Sequence, residues 1–268
     1  MMVDRDLGEY FERIVYRGVR EPTEGTLSAL IDAHVRSIPF ENIDVLLGRA
    51  ICIDSDSIHR KLVGARRGGY CFEHNTLFAD VLESLGFTVQ RLGARVRWQA
   101  TTPRPRTHML LEVALSDGPR IVDVGFGARG IRSSLRVDEG IQRVAGRTFR
   151  IRCEPHVRVL SIQDATGEFQ DLYAFTREPL LAIDFEMANW FTSTHPLSSF
   201  REHLMAMRAD DQGERTLMDD QLVIRDRGSV VKRALSDIPE ILSVLQNEFG
   251  IRLPPGAEEL EIPALRRS

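Results

Sequence analysis

Residues 66–75, RRGGYCFEHN, place a cysteine directly behind two glycines and at the head of an apolar stripe. A free thiol has a pKa of about 8.5 and is a poor nucleophile at neutral pH unless its thiolate is stabilised. If a helix begins at or just before Cys71, its unpaired N–H groups and positive dipole end point at the sulfur. Gly68 and Gly69 would let the backbone bend sharply on entry. The same N–H groups would stabilise an oxyanion during acyl transfer. The competing reading, a small core cysteine beside a plain turn, stays open at this point.

Thiol catalysis also needs a base and a group that orients it. Of the seven histidines, His34 lies on a helix face and reads as a packing or surface residue. His59, His156 and His203 sit in polar surroundings without a partner, and His74 and His195 are weaker candidates than His108. His108 opens the strand HMLLEVAL after the turn-rich TTPRPRT, so its ring can project at a strand end. Asp123, flanked by Val122 and Val124, is the best orienter, because a carboxylate in an apolar strand is buried only when paired. Cys71, His108 and Asp123 together supply thiolate, base and orienter. A tight hairpin centred on Asp117 and Gly118, however, sets Glu112 opposite Asp123 and leaves His108 about 13 Å away along the strand.

Two other motifs carry less. GFGARG, residues 125–130, fits the dinucleotide-binding pattern and follows a strand, but no sustained helical stripe comes after it, and the only nearby acidic residue at the required distance is Asp164, in a polar turn. Cys71 and His74 form a C-x-x-H pair with no second pair at zinc-like spacing, so no metal is expected.

These residues need elements to hold them. Leu27, Leu30, Ile31, Val35 and Ile38 recur at helical spacing until Pro39, and Leu77, Phe78, Val81, Leu82 and Leu85 repeat the pattern until Gly86. Residues 1–86 therefore read as mostly helical and carry the cysteine. From Phe87 the period becomes that of strands, in FTVQRLGARVRW, HMLLEVAL, RIVDVGF, TFRIRC and VRVLSIQ. Residues 87–190 form a β-rich unit carrying the histidine and aspartate. Residues 191–268 are mixed, with turn-rich STHPLSSF and DDQGERT and a helix start at SDIPE.

The chain has 268 residues, a formal net charge of -4 and 28% charged residues of both signs. Nothing in it forms the basic stripe that nucleic acid or an anionic membrane requires. Acidic residues within the first ten positions argue against a signal or transit peptide, and no apolar run reaches the roughly 18 residues of a membrane span. The expected location is the cytoplasm. Three widely spaced cysteines, Cys52, Cys71 and Cys153, fit reduced thiols better than a disulfide framework.

In order along the chain, YFERIVYRG, HVRSIPFENIDVLLGR, RRGGYCFEHN, THMLLEV, VDVGFG and ANWFTSTHPLSSF resemble the arylamine N-acetyltransferases. The resemblance covers residues 10–200 closely and the last 60 weakly. It implies an α+β fold with an N-terminal helical bundle, a central β-barrel-like domain and a C-terminal α/β lid around a cysteine-protease-like core. It implies the triad Cys71, His108 and Asp123. It further implies acetyl transfer from acetyl-CoA, as co-substrate, to the nitrogen of an arylamine, hydrazine or N-hydroxyarylamine, by ping-pong kinetics through a Cys71 thioester. Thr107, Gly125, Phe126 and Gly127 would lie near the CoA, and Phe40, Trp98 and Phe200 would line the acyl and amine pocket. The expected partners are small molecules, with no nucleic acid and no membrane, and the protein a monomer or homodimer. The chain departs from the family pattern after GFG, where a Pro-Leu pair is missing, and at Glu112, where an aliphatic residue is usual.

Related chemistries share these residues. An amide synthase of the same superfamily would release a carrier-bound polyketide, and a papain- or transglutaminase-like cysteine hydrolase would consume thioester without an amine. A catalytically silent binding protein would have no use for the intact set of three.

Overall fold

A computed structural model describes residues 4–211, 213–226, 229–262 and 265. The chain opens with helices α1 (Asp4–Arg13) and α2 (Glu24–Ser37), the latter capped by Thr23, whose hydroxyl accepts from the Thr26 N–H at 3.2 Å. A short strand β1 (Phe40–Glu41) follows, then the single turns α3 (Ile43–Leu46) and α4 (Ser55–Ile58). A π-helical turn (His59–Gly64) leads on to α5 (Cys71–Ser84). The expected stop is present, with Gly86 at φ 88 just beyond the last helical turn.

The chain then becomes a sheet: β2 (Thr88–Val96), β3 (His108–Leu115), β4 (Gly118–Val122), β5 (Leu135–Arg136), β6 (Gly140–Val144), β7 (Arg147–Glu154), β8 (Val157–Gln163) and β9 (Phe169–Pro179). These eight pair antiparallel in the order β5-β4-β3-β2-β9-β8-β7-β6, curling into a nearly closed barrel-like sheet. Two helices, α6 (Ala182–Thr194) and α7 (Ser199–Glu202), lead to the meander β10 (Met205–Asp210), β11 (Gly213–Met218), β12 (Gln221–Asp226) and β13 (Ser229–Ala234). Helix α8 (Ile238–Asn247) starts at Asp237, whose carboxylate accepts from the Glu240 N–H at 2.9 Å. The second sheet, of order β1-β10-β11-β12-β13, recruits its first strand from the N-terminal part of the chain.

Three apolar clusters hold the elements. One fills the space among α1, α2, α5 and the inner face of β3, with Tyr10, Leu27, Phe72, Phe78 and Leu111 at its centre. A second fills the barrel around Leu92, Leu110, Phe149 and Phe175. The third lies under α8, where Ile241 and Leu245 pack on Ala206 and Leu217. Helix α5 packs on β2 and β3 through the first cluster, and its first turns meet the start of β3 and the end of β4. Among the described residues, no helix is long and apolar enough to cross a membrane.

The β3–β4 register differs from the hairpin drawn from sequence. Leu115 faces Gly118 directly, so Ser116 and Asp117 make the turn, and Glu112 faces Ile121 rather than Asp123. Continuing that register brings Asp123 level with Leu110, whose neighbour on the same face is His108. Diagonal neighbours of this kind lie within reach of a longer side chain. The offset that stood against pairing His108 with Asp123 is therefore halved, from four residues to two, or about 7 Å along the strand.

Candidate active site

Helix α5 begins at Cys71, as the glycine-cysteine spacing suggests. Its start is built by Glu73, which reaches back to accept from the Tyr70 N–H at 3.0 Å while Lys61 Nζ donates to its other oxygen at 2.7 Å. Gly68 and Gly69 serve close approach rather than a sharp bend. Neither adopts a left-handed φ, which falls instead to Arg66 at φ 52. A Cβ on Gly68 would lie 2.1 Å from the Pro39 carbonyl oxygen.

Cys71 is 3% exposed, and its Sγ lies 3.7 Å from the Thr107 carbonyl oxygen. The next residue, His108, is also buried, and its Nε2 lies 2.7 Å from Asp123 Oδ2. With Nε2 committed to the carboxylate, Nδ1 is the ring nitrogen left for the sulfur. Burial works against the charged imidazolium, but the Asp123 charge and hydrogen bond outweigh it, joined by a hydrogen bond with Cys71. The His108 pKa rises to about 10. Asp123 is held below the usual carboxylate range despite its burial, by His108, by Asn75 and by the Gly125 N–H. The structure thus brings Cys71, His108 and Asp123 into one cluster.

Asp123 Oδ1 accepts from Asn75 Nδ2 at 3.0 Å and from the Gly125 N–H at 2.9 Å. Gly125 is forced by proximity, since a Cβ there would meet Cys71 Cα at 2.6 Å. Phe126 stands edge-on to the His108 ring with centroids 5.2 Å apart, and Tyr173 lies 5.0 Å from the same ring. Asn75 and Tyr173 were not singled out in the sequence. Asn75 offered a signal, being one helical turn beyond Cys71 on the same face; Tyr173, inside an ordinary strand, offered none.

The aromatic candidates divide into two groups. Phe40 and Phe200 come together, centroids 6.2 Å apart, with Tyr70 5.6 Å from Phe200. Trp98, like Phe126, packs instead on the barrel cluster, with the Arg129 guanidinium 4.3 Å from its ring centroid. Gly127 adopts φ 83 and a Cβ there would lie 2.4 Å from Met207 Sδ, so the GFG loop runs between α5 and β10.

Two histidines differ from their sequence reading. His203 is not without a partner, since its Nδ1 lies 2.7 Å from Asp219 Oδ2, and His59 Nε2 lies 3.1 Å from the Asp6 carbonyl oxygen. His34 is fully buried in a hydrogen-bonded chain. Tyr10 Oη lies 2.8 Å from its Nδ1, and its Nε2 lies 2.9 Å from His74 Nδ1. Because the Pro39 carbonyl, 3.2 Å from His74 Nε2, can only accept, the chain has one polarity: His74 donates to Pro39, His34 donates to His74, and Tyr10 donates to His34. Burial pushes both rings below the ordinary imidazole range, which favours the neutral forms this chain of bonds uses.

A helix-borne thiol facing strands of a barrel-like sheet, within a mixed helix and sheet architecture, is a frame for acyl chemistry through a cysteine. The profile of the N-acetyltransferase family matches residues 24–258. An arylamine N-acetyltransferase of Mycolicibacterium smegmatis is 40% identical over 255 residues, covering 92% of each chain. The arylamine N-acetyltransferase / N-hydroxyarylamine O-acetyltransferase of Salmonella typhimurium is 36% identical over 91% of this chain and 88% of its own. The solved structure of Mycobacterium marinum arylamine N-acetyltransferase in complex with CoA superposes with a TM-score of 0.87 at 38% identity, covering 91% of this chain and 92% of that one. The chain belongs to the arylamine N-acetyltransferase family.

Proposed function

We propose that this protein transfers an acetyl group from acetyl-CoA to the nitrogen of an arylamine, hydrazine or N-hydroxyarylamine, with Cys71, His108 and Asp123 as its catalytic residues. The observation that carries this reading is the His108–Asp123 pair at 2.7 Å beside a thiol at the first residue of a helix.

An imidazolium at His108 sets a positive charge next to the sulfur, where the thiolate is the attacking form. The Cys71 thiolate adds to the thioester carbonyl of acetyl-CoA, and the first N–H groups of α5 stabilise the resulting oxyanion. Collapse breaks the carbon–sulfur bond to CoA, which leaves with the proton from His108, and acetyl-Cys71 remains. The amine nitrogen then attacks this second thioester while neutral His108 takes its proton. Expulsion of the Cys71 thiolate restores the starting imidazolium–thiolate pair and releases the amide. Asp123 holds the ring in the orientation both half-reactions need.

Thr107, Phe126 and Gly127 at the mouth of the site face the CoA, while Gly125 acts through its close packing on Cys71. Phe40 and Phe200 form one aromatic wall for a flat amine and Trp98, with Phe126, the other. The division into units 1–86, 87–190 and 191–268 is retained as a working description of which segments supply thiol, base and covering sheet. The test is release of free CoA from acetyl-CoA with and without a panel of arylamines and hydrazines. Turnover should require the amine. Amine-independent consumption would favour the hydrolase, and no consumption with any amine would favour the amide synthase.

A further inference from the structure

We propose that Asn75 is a positioning residue for the thiol chemistry: its carboxamide holds the imidazole–carboxylate pair in register with the cysteine. The inference rests on the triad described above. It starts from an amide on the helix that carries Cys71, one turn on, with no exposed surface and three hydrogen bonds. Asn75 Nδ2 donates to the Met109 carbonyl oxygen at 2.8 Å and to Asp123 Oδ1 at 3.0 Å, and Asn75 Oδ1 accepts from the Val124 N–H at 3.1 Å. A carbonyl can only accept and a backbone N–H can only donate, so these partners fix which amide atom is which.

The destinations matter more than the number. Met109 is the residue after His108, Val124 the residue after Asp123, and the third bond goes to the Asp123 carboxylate itself. One side chain thus ties the thiol-bearing helix to both strand ends that present its partners. Among the described residues, no other side chain of α5 forms a hydrogen bond to the end of β4, so without Asn75 His108 would be free to follow Asp123 away from the sulfur. The other titratable groups facing Asp123 are His108, Tyr173 and His74, with Cys71 beyond the imidazole. None of them bonds to both strands as Asn75 does.

The replacement Asn75→Asp gives a distinctive test. While its carboxyl is protonated it keeps the acceptor for the Val124 N–H and has one O–H to donate to Asp123, losing only the second donor that the amide gives to Met109. Once ionised, it sets a second negative charge against Asp123 and has no donor for either Asp123 or Met109. Two carboxyls in contact hold their last proton unusually strongly, so this loss falls well above the ordinary carboxyl range.

The experiment is the pH dependence of iodoacetamide alkylation of Cys71, followed by peptide mapping and expressed per folded molecule from circular dichroism at each pH. We expect Asn75→Ala to react about 10²-fold more slowly than wild type throughout, the scale of a small misplacement of reacting groups. Asn75→Asp should approach the wild-type rate at low pH and lose it along a descending limb that wild type lacks. A purely structural role would lower the folded fraction without adding that limb. Wild-type rates and profiles in both folded variants would overturn the proposal, as would failure of both to fold at any pH. Should Asn75→Ala alone fail to fold, the Asn75→Asp profile decides. If wild-type Cys71 is itself no more reactive than Cys52 and Cys153, the triad reading fails and takes this inference with it. If wild type is reactive and the variants match it, only the role of Asn75 falls.

Discussion

Glu112 and Arg177 form a two-pronged ion pair, with Arg177 Nε 2.6 Å from Glu112 Oε2 and Nη2 2.6 Å from Oε1. Glu112 shares a strand face with His108, yet its carboxylate is fully engaged by a guanidinium from β9 and turned away from the imidazole. Asp123 is left to serve His108. Asp123→Asn keeps the shape but favours the wrong tautomer, and should lower the rate of Cys71 acetylation by about 10⁴, as the equivalent change does in a serine triad. Glu112→Gln should cost little by the same rapid-quench measurement. Loss of acetylation in Glu112→Gln, with Asp123→Asn still active, would reverse the assignment.

Cys71 is buried, whereas Cys52 and Cys153 are exposed. Accessibility alone would have iodoacetamide label the two exposed thiols first. With an imidazolium beside Cys71, the order at pH 6 should be the opposite, because that charge favours the thiolate, the form that attacks. Peptide mapping after partial alkylation measures this, and equal labelling of the three would contradict an activated cysteine.

The buried histidines act on stability in separate pH windows. Burial pushes His74 down to about 4 and lowers His34 as well, so below the unfolded value of about 6.5 the unfolded chain binds protons that the folded chain refuses. Stability should therefore fall as pH drops through that range, with a slope approaching about 2.7 kcal/mol per pH unit for two protons. His108 has the other sign: raised to about 10 by Asp123 against its burial, its contribution is full below about 6.5 and is lost as pH rises toward 10. Urea unfolding from pH 4.5 to 9.5 should give a maximum near neutrality. His108→Gln should flatten the alkaline side and leave the acid side in place.

Lys61 bonds to Glu73 at 2.7 Å and to Asp44 at 3.0 Å behind the start of α5. Lys61→Met would leave the Glu73 carboxylate, whose side chain is 2% exposed, without its cation. The expected loss is about 3 kcal/mol of unfolding free energy, the cost of stranding one member of a buried pair. A change under about 1 kcal/mol in urea unfolding would show that Tyr70 and solvent alone can support Glu73.

What the sequence disclosed follows from how local each signal is. Helices α2 and α5, strands β2 and β3, and the Asp237 start of α8 were legible because periodicity and caps act within a few residues. Helix α6 was missed because its outer face exposes Ile183, Met187 and Trp190, which erases the contrast between apolar and polar sides on which a helical reading depends. Strand β1 is two residues long and exists by pairing with β10, far along the chain. The triad residues were each visible, but their meeting turned on whether Ser116 or Asp117 led the hairpin turn, a choice of register that sequence spacing leaves open. Asn75 bonds to residues 34 and 48 positions away, so nothing local to it marked its partners.

The account stands most directly on the covalent intermediate. Incubating the protein with acetyl-CoA and no amine, then quenching rapidly in acid and mapping peptides by mass, should find one acetyl group on the Cys71 peptide. Removing the free acetyl-CoA and then adding an arylamine before the quench should discharge that group and yield an equal amount of N-acetylated amine. No acetyl mass at Cys71, in a preparation that still acetylates the amine, would mean direct transfer between bound substrates and would contradict the central claim.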